Sequence, residues 1–232
     1  MPMPEPIDHR SQQTVVSCWS GGKDSCLALY ELQRAGGIHI EALLTTVTRD
    51  FDRISMHGVR CSLLREQAAS LGLPLQEISI SRGADNQEYE ASFGEALAAY
   101  HARGISQVVF GDLFLQDIRA YRDQLVARHN MTALYPVWGR NTRDLIEEFM
   151  SLGFKAVIVC VDPSQLDKGF VGRAIDEKLL GDLPDNVDPC GENGEFHTFV
   201  YDGPNFAKPV VFSTGEIVCR DGFWFCDLVP GG

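Results

Sequence analysis

Residues 17–32 read "SCWSGGKDSCLALYEL". An apolar run, "TVVSCW" (14–19), ends here, and helical spacing begins, with Cys26, Leu29 and Tyr30 on one face of residues 24–35. Between the two stand Ser20, Gly21, Gly22, Lys23, Asp24 and Ser25. A plain strand-to-helix turn with a capping aspartate needs only one or two of these residues. An anion site uses them all. Glycines let the backbone approach a phosphate closely, and loop amides at a helix N-terminus supply positive potential. The Ser20 and Ser25 hydroxyls add donors, and Lys23 adds a full charge. Asp24 would repel phosphate on its own; a Mg²⁺ held through the phosphates of ATP gives it a role.

Outward from this stretch the pattern alternates. "HIEALLTTV" (39–47) is strand-like, "RCSLLREQAASL" (60–71) helix-like, and "LQEISI" (75–80) alternates strictly. Residues 86–103 read as a helix, "SQVVF" (106–110) as a strand and 115–129 as a helix. The βαβα series predicts an α/β fold, a doubly wound parallel sheet with helices on both faces. Such sheets bind ligands beyond the carboxyl ends of their strands, where strand order reverses. Gly111 and Asp112 follow the strand at 106–110, on the same sheet edge as the glycine loop. If that strand neighbours the first one, ATP lies between the two loops. His57, in the loop after the second strand, stands where adenine or ribose rests in such folds, although a lone histidine also serves as a structural residue.

The second half is less regular. Asn141 is placed to cap a helix running to Leu152, with Leu145, Ile146 and Phe149 as its apolar stripe. "KAVIVCV" (155–161) reads as a buried strand that adds to the same sheet. Beyond Gly181, "GDLPDNVDPCGENGE" is loop chemistry, followed by three β-like runs at 195–201, 208–219 and 223–229. The expected organisation is a flexible N-terminus (1–13), a nucleotide-binding domain (14–130) and a C-terminal substrate-binding part (131–232). If "EFHTFVY" is a strand, Glu195 and His197 project from one face, with Glu192 close by in the turn. Paired carboxylates attract ammonium, and one of them, or His197, can take its proton. An exposed hairpin with solvated acids is the other reading. Arg119 and Arg122 read as solvated helix faces; Arg140, beside Trp138, is a candidate contact for a substrate anion.

Composition limits the partners. With 232 residues, 44% of them hydrophobic, the chain can bury a core without staples. The opening "MPMPEPIDHRSQQ" is not patterned as a secretion signal, and no apolar run reaches the length of a membrane span, so no membrane partner is expected. Seven scattered cysteines without a CxxC fit reduced thiols in a cytoplasm, and speak against both a persulfide-carrying pair and a zinc site. A net charge of -12 repels phosphate backbones, so no nucleic-acid partner is expected either. ATP would have to be held locally, by loop amides, a few cations and a metal.

The common P-loop needs a glycine at position 17 and Ser or Thr after the lysine; this chain has Ser17 and Asp24. "SGGKDS" instead resembles the pyrophosphate loop, SGGxDS, of the ATP pyrophosphatase superfamily. With "SMHGVR" (55–60), "VVFGDL" (108–113), "PVWGRNTRDLIEEFMSLGFKAVIVCV" (136–161) and "CGENGEFHTFVYDGP" (190–204) in this order, roughly residues 14–215 resemble the diphthine–ammonia ligase family. The resemblance implies a sheet of the adenine nucleotide alpha-hydrolase type with a smaller C-terminal α+β substrate-binding part. It implies an enzyme that cleaves ATP between the α- and β-phosphates, adenylates a carboxylate and admits ammonia, releasing AMP and pyrophosphate. Lys23, Asp24, Glu192, Glu195 and His197 would then be catalytic. Ser20, Gly21, Gly22, Lys23, Ser25, His57, Gly111 and Asp112 would bind the nucleotide, with Asp24 on its Mg²⁺. Arg140, Glu192, Asn193, Glu195, His197 and Thr198 would meet the substrate. The partners implied are ATP, ammonium and a carboxylate, either diphthine on elongation factor 2 or a small metabolite of cofactor synthesis or salvage, with room for a homodimer. A non-catalytic ATP sensor is a third reading; it would need neither Asp24 nor the Glu192, Glu195 and His197 set.

Overall fold

The structure, a computed structural model, describes residues 13–49, 53–54 and 58–231. The first half runs β1 (Gln13–Cys18), α1 (Lys23–Ala35), β2 (Ile38–Thr48), β3 (Arg53–Ile54), α2 (Cys61–Leu71) and β4 (Leu75–Ile80). It continues with α3 (Asn86–Ala102), β5 (Gln107–Val109), α4 (Gln116–Ala127) and β6 (Thr132–Leu134). Strands β4, β2, β1, β5 and β6 lie side by side in that order, all parallel. The two-residue β3 pairs antiparallel with the end of β2, Val47 opposite Ile54. From β1 the chain first builds outward through β2 and β4, then returns to lay β5 against the other side of β1, Val16 opposite Val108. The order therefore reverses between β1 and β5, and the loops after those strands open onto the same crevice.

Helices cover both faces, as periodicity requires. On one side Val16, Leu44 and Val108 pack against Phe93 and Leu97 of α3 and Leu125 of α4. On the other, Val15 and Leu43 meet Leu27 and Leu29 of α1 and Leu63 and Leu64 of α2. That second core does not stop at the helices. It continues into a second sheet formed by β7 (Lys155–Val161), β8 (Phe196–Asp202), β9 (Phe212–Arg220) and β10 (Phe223–Pro230). This sheet is antiparallel, in the order β8, β7, β10, β9.

The strand at 155–161 thus departs from the sequence reading. It does not extend the parallel sheet but lies inside the antiparallel one, with Ala156 to Val161 all buried. A continuous apolar run reports burial on two faces and carries no information about which sheet buries them. Helix α5 (Thr142–Ser151) forms as read: the Asn141 side chain accepts from the Arg143 and Asp144 amides, and Leu145, Ile146 and Phe149 are buried. Helix α6 (Glu177–Asp182) and a single 3₁₀ turn at Lys168–Phe170 were not foreseen, and neither were β3 and β6. Each is too short to show a period. Among the described residues no helix is long and apolar enough to cross a membrane.

Candidate nucleotide-binding active site

The loop after β1 is held by the second sheet. Gly21 adopts φ +74°, open to glycine at little cost, and its carbonyl accepts from the Val200 amide of β8 at 2.9 Å. One residue pair along, the Lys23 amide donates to Thr198 Oγ1 at 3.1 Å. Gln67 of α2, fully buried, completes the mount. Its amide nitrogen donates to the carbonyls of Gly21 (3.0 Å) and Val200 (2.6 Å), and its oxygen accepts from Trp19 Nε1 (2.7 Å). Ser20 Oγ accepts from the Gly22 amide at 3.2 Å, and Ser25 Oγ donates to the Gly22 carbonyl at 2.9 Å. From the other side of the crevice Gly111 presses on the first turn of α1. A Cβ there would stand 2.8 Å from the Asp24 carbonyl carbon and the Ser25 nitrogen, so only glycine permits the contact.

At the start of α1, Lys23 Nζ lies 2.8 Å from Asp24 Oδ2 and 5.7 Å from the centre of the Phe196 ring. Burial works to lower the lysine's pKa, and Asp24 overrides it, so the ammonium stays above its ordinary value and charged. Burial pushes the Asp24 carboxyl up against the pull of Lys23, and Asp188 and Asp112 add to that push. Asp24 Oδ1 is buried without a hydrogen-bond partner. A buried, unpaired carboxylate oxygen suits a hard cation. The described residues hold no cluster of three or more His, Cys, Asp or Glu that could cage a metal alone. That donor set fits Mg²⁺ shared between one carboxylate and nucleotide phosphates, the arrangement Mg²⁺ favours.

Residues 188–198 form the facing wall. Glu192 reaches across to the loop after β5, its Oε1 accepting from the Leu113 amide at 2.7 Å. Burial raises its carboxyl to about 7 against the effect of that hydrogen bond, with Asp24 and Asp112 adding to the rise. His197 is held down to about 4, by burial first and by the Lys23 ammonium second, so its ring is neutral near pH 7. Together with Lys23, Asp24, Ser20, Gly22, Ser25, Gly111, Asp112 and Thr198, these two line one cleft of 360 Å³.

Glu195 belongs elsewhere, and the expectation of a projecting Glu195–His197 pair is corrected. Strand β8 starts one residue later, at Phe196, and the Glu195 carboxylate turns into its own loop. There it accepts from the amides of Asp188 and Asn193, both at 2.9 Å, and from Asn193 Nδ2 at 3.0 Å, while the residue is 2% exposed. Asn193 is thereby a loop residue and not part of the cleft lining. Arg140 is also displaced from its expected role. It pairs with Glu148 and, at 3.7 Å, with Glu31, outside the cleft. Arg122, read as a solvated face, lines the cleft instead, 2.7 Å from Asp112 and stacked 4.6 Å from the Phe110 ring. Arg119 packs over Tyr135 and Trp138. Cys190 Sγ donates to the Thr142 carbonyl, and burial raises its thiol far above the nucleophilic range. His57 lies outside the described residues.

Two residues essential to the arrangement escaped the sequence reading. Gln67 occupies an apolar-stripe position of α2, beside Leu63, Leu64, Ala68 and Leu71, and a polar residue on such a stripe is a visible signal. Asp188 accepts from the amides of Cys190 and Glu192 and from the Thr142 hydroxyl; in a loop rich in Asp and Asn it carries no distinguishing mark.

A parallel sheet whose reversal point presents a lysine-bearing glycine loop, with an unpaired carboxylate oxygen beside it, makes this an α/β protein with its candidate site at the switch point. The chain belongs to the diphthamide synthase family. The family's "Diphthamide synthase N-terminal domain" matches residues 13–133 and its "Diphthamide synthase C-terminal domain" residues 141–228. Among curated relatives, the bovine protein named diphthine–ammonia ligase is 26% identical over 238 residues, covering 92% of this chain and 88% of the relative. The human protein of the same name is 27% identical over 237 residues, with the same coverage. A solved structure titled as a predicted subunit of tRNA methyltransferase from Methanocaldococcus jannaschii matches at a TM-score of 0.43 and 20% identity. It covers 81% of this chain and 96% of that one.

Proposed function

We propose that this chain is an ATP-dependent, AMP-forming carboxylate–ammonia ligase acting on diphthine. The substrate follows from the names its relatives carry and the two family domains. The chemistry rests on one observation: Asp24, with its unpaired Oδ1, and Glu192, with its carboxyl near neutrality, face the same cleft across the glycine loop.

In the first step a substrate carboxylate oxygen attacks the α-phosphorus. The new O–P bond forms as the bond to the bridging oxygen breaks, and pyrophosphate leaves with the electron pair. Loop amides and the Lys23 ammonium stabilise that leaving charge. Mg²⁺, with Asp24 Oδ1 as its protein ligand, supplies further charge compensation when bound. In the second step ammonia attacks the acyl carbon, the C–N bond forms, and AMP departs with the acyl oxygen bond's electrons. Two protons are released overall, one from ammonium before attack and one from the tetrahedral adduct. Glu192, titrating near neutral pH, takes the first. No protein nucleophile is needed, because the adenylate is itself the activated acyl group.

The test is product analysis after incubation with Mg·ATP and ammonium, with and without elongation factor 2 bearing diphthine. AMP and pyrophosphate that appear only with the factor are the expected result. AMP that appears only with a small-molecule extract reassigns the acid to a metabolite and keeps the chemistry. ATP binding without AMP under either condition overturns the ligase.

A further inference from the structure

A second cleft, of 890 Å³, adjoins the nucleotide cleft and shares Thr46, Ile54, Tyr89 and His197 with it as a common wall. It lies between the two halves of the molecule. One side is the end of β2 with the loop joining β4 to α3; the other is the hairpin of β9 and β10. Phe223 and Phe225 of that hairpin give it an apolar flank. Gly58 closes on Phe225 in a way no side chain would allow. Its φ is +68°, and a Cβ there would stand 2.8 Å from the Phe225 ring.

The cleft also gathers arginines in a chain whose net charge is -12. Arg53 and Arg60 both bind Asp227, at 2.8 Å and 2.6 Å, so two guanidiniums share one carboxylate. Arg82 and Arg220 line the cleft with Arg53, and so do Asp85, Asp221 and Asp227. Asp85 is engaged as the cap of α3, accepting from the Glu88 amide. Three guanidiniums and three carboxylates line the cleft beside an aromatic flank, and Arg60, from outside the lining, shares Asp227. This combination suits an organic acid with an apolar body.

We propose that this second cleft seats the acid to be amidated. The acid's body lies along Phe223 and Phe225, and its carboxylate passes His197 to reach the nucleotide. The geometry meets what adenylation demands, since acid and α-phosphorus must be brought together from adjoining spaces. This assignment rests on the ligase reading above and adds where its acceptor binds.

The test plugs the cleft away from the glycine loop. Ala84→Trp fills it, and Arg220→Glu replaces one of its cations with an anion. The probes are elongation factor 2 with and without diphthine, and separately a deproteinised extract as a source of small acids. Ala84→Trp is expected to hold Mg·ATP affinity within about twofold while either variant raises the acceptor KM by about tenfold or more. The same losses with the extract would assign the cleft to a small acid. Wild-type and plugged chains with equal acceptor KM would overturn the cleft and leave the ligase standing. A wild-type chain that forms no AMP with either probe overturns the ligase reading instead. The cleft is then decided by binding: it stands if a preference for the diphthine-bearing over the unmodified factor disappears in both variants, and falls otherwise.

Discussion

Lys23 Nζ holds one oxygen of its chain neighbour Asp24 at 2.8 Å, and the other oxygen, Oδ1, is buried without a partner. A pair built only for stability would use both oxygens. Asp24→Asn keeps the shape and an acceptor for Lys23 but removes the charge a cation requires. It is expected to lower AMP formation by about a hundredfold or more while leaving the fold intact. Lys23→Ala is expected to abolish turnover as well, and to lower the melting temperature further, because it strands the Asp24 carboxylate in a buried setting. AMP release and thermal unfolding on both variants check this; near-normal turnover in either would remove the loop from the mechanism.

Gln67 satisfies Trp19 Nε1 and two backbone carbonyls from a fully buried position. Gln67→Leu fits the space but strips Trp19 Nε1 of its acceptor and leaves the Gly21 carbonyl with the Val200 amide alone, at a cost of about 1–3 kcal/mol in unfolding free energy. Urea denaturation reads that loss. ATP affinity is expected to fall in the same variant, since Gly21 is one of the groups released.

Glu192 and Glu195 lie three residues apart with opposite jobs. Glu195→Ala strips the acceptor from Asp188 and Asn193 and is expected to destabilise the chain by about 1–3 kcal/mol. Glu192→Gln keeps an acceptor for the Leu113 amide and is expected to be no less stable than the wild-type chain at neutral pH, and to slow amide formation. In the wild-type chain the amidation rate rises with pH through about 7 as Glu192 loses its proton, and the variant lacks that limb. A pH–rate profile of both proteins decides it; an unchanged limb in Glu192→Gln would assign the base elsewhere.

His197 has an ordinary pKa of 6.5 and is held at about 4 in the fold. The folded state therefore binds its proton less readily than the unfolded one. The resulting stability is fully present above pH 6.5 and is lost as pH falls through 4, amounting to about 3 kcal/mol. Glu192 acts with the opposite sign: its raised carboxyl favours the fold most below 4.5 and loses that contribution as pH rises through 7. Between pH 4.5 and 6.5 the two offset one another. Removing one should unmask the other, so unfolding free energy in His197→Gln is expected to fall with rising pH across this window. In Glu192→Gln it is expected to rise. Chemical denaturation at a series of pH values measures both slopes.

Much of this molecule could be read before any coordinates. The alternation of β1 through α4, apart from the two-residue β3, is legible because most of these elements are long enough to show their period, and the crevice follows from the topology that alternation implies. Within the site, Lys23, Asp24, Glu192 and His197 do meet at one cleft. The failures have physical causes. Glu195 and His197 share a face only if the strand reaches back to Glu195; it begins at Phe196, so the pleat does not constrain Glu195, whose carboxylate turns to the loop amides. Arg122 stands beside Arg119, Asp123 and Gln124 on its helix, and nothing local shows that Asp112 and the Phe110 ring will cover it. For β7, an apolar run records only that neighbours exist on two sides.

The two bonds from Thr198 and Val200 to the glycine loop make the halves of this chain interdependent. A fragment ending after β6 would keep every strand of the parallel sheet, yet its glycine loop would lack part of its frame. Likewise, a hybrid carrying a foreign second sheet would need a hydroxyl and an amide in those two places before it could grip a nucleotide. Recombination between relatives is therefore constrained at this seam, where the two halves must be inherited as a matched pair.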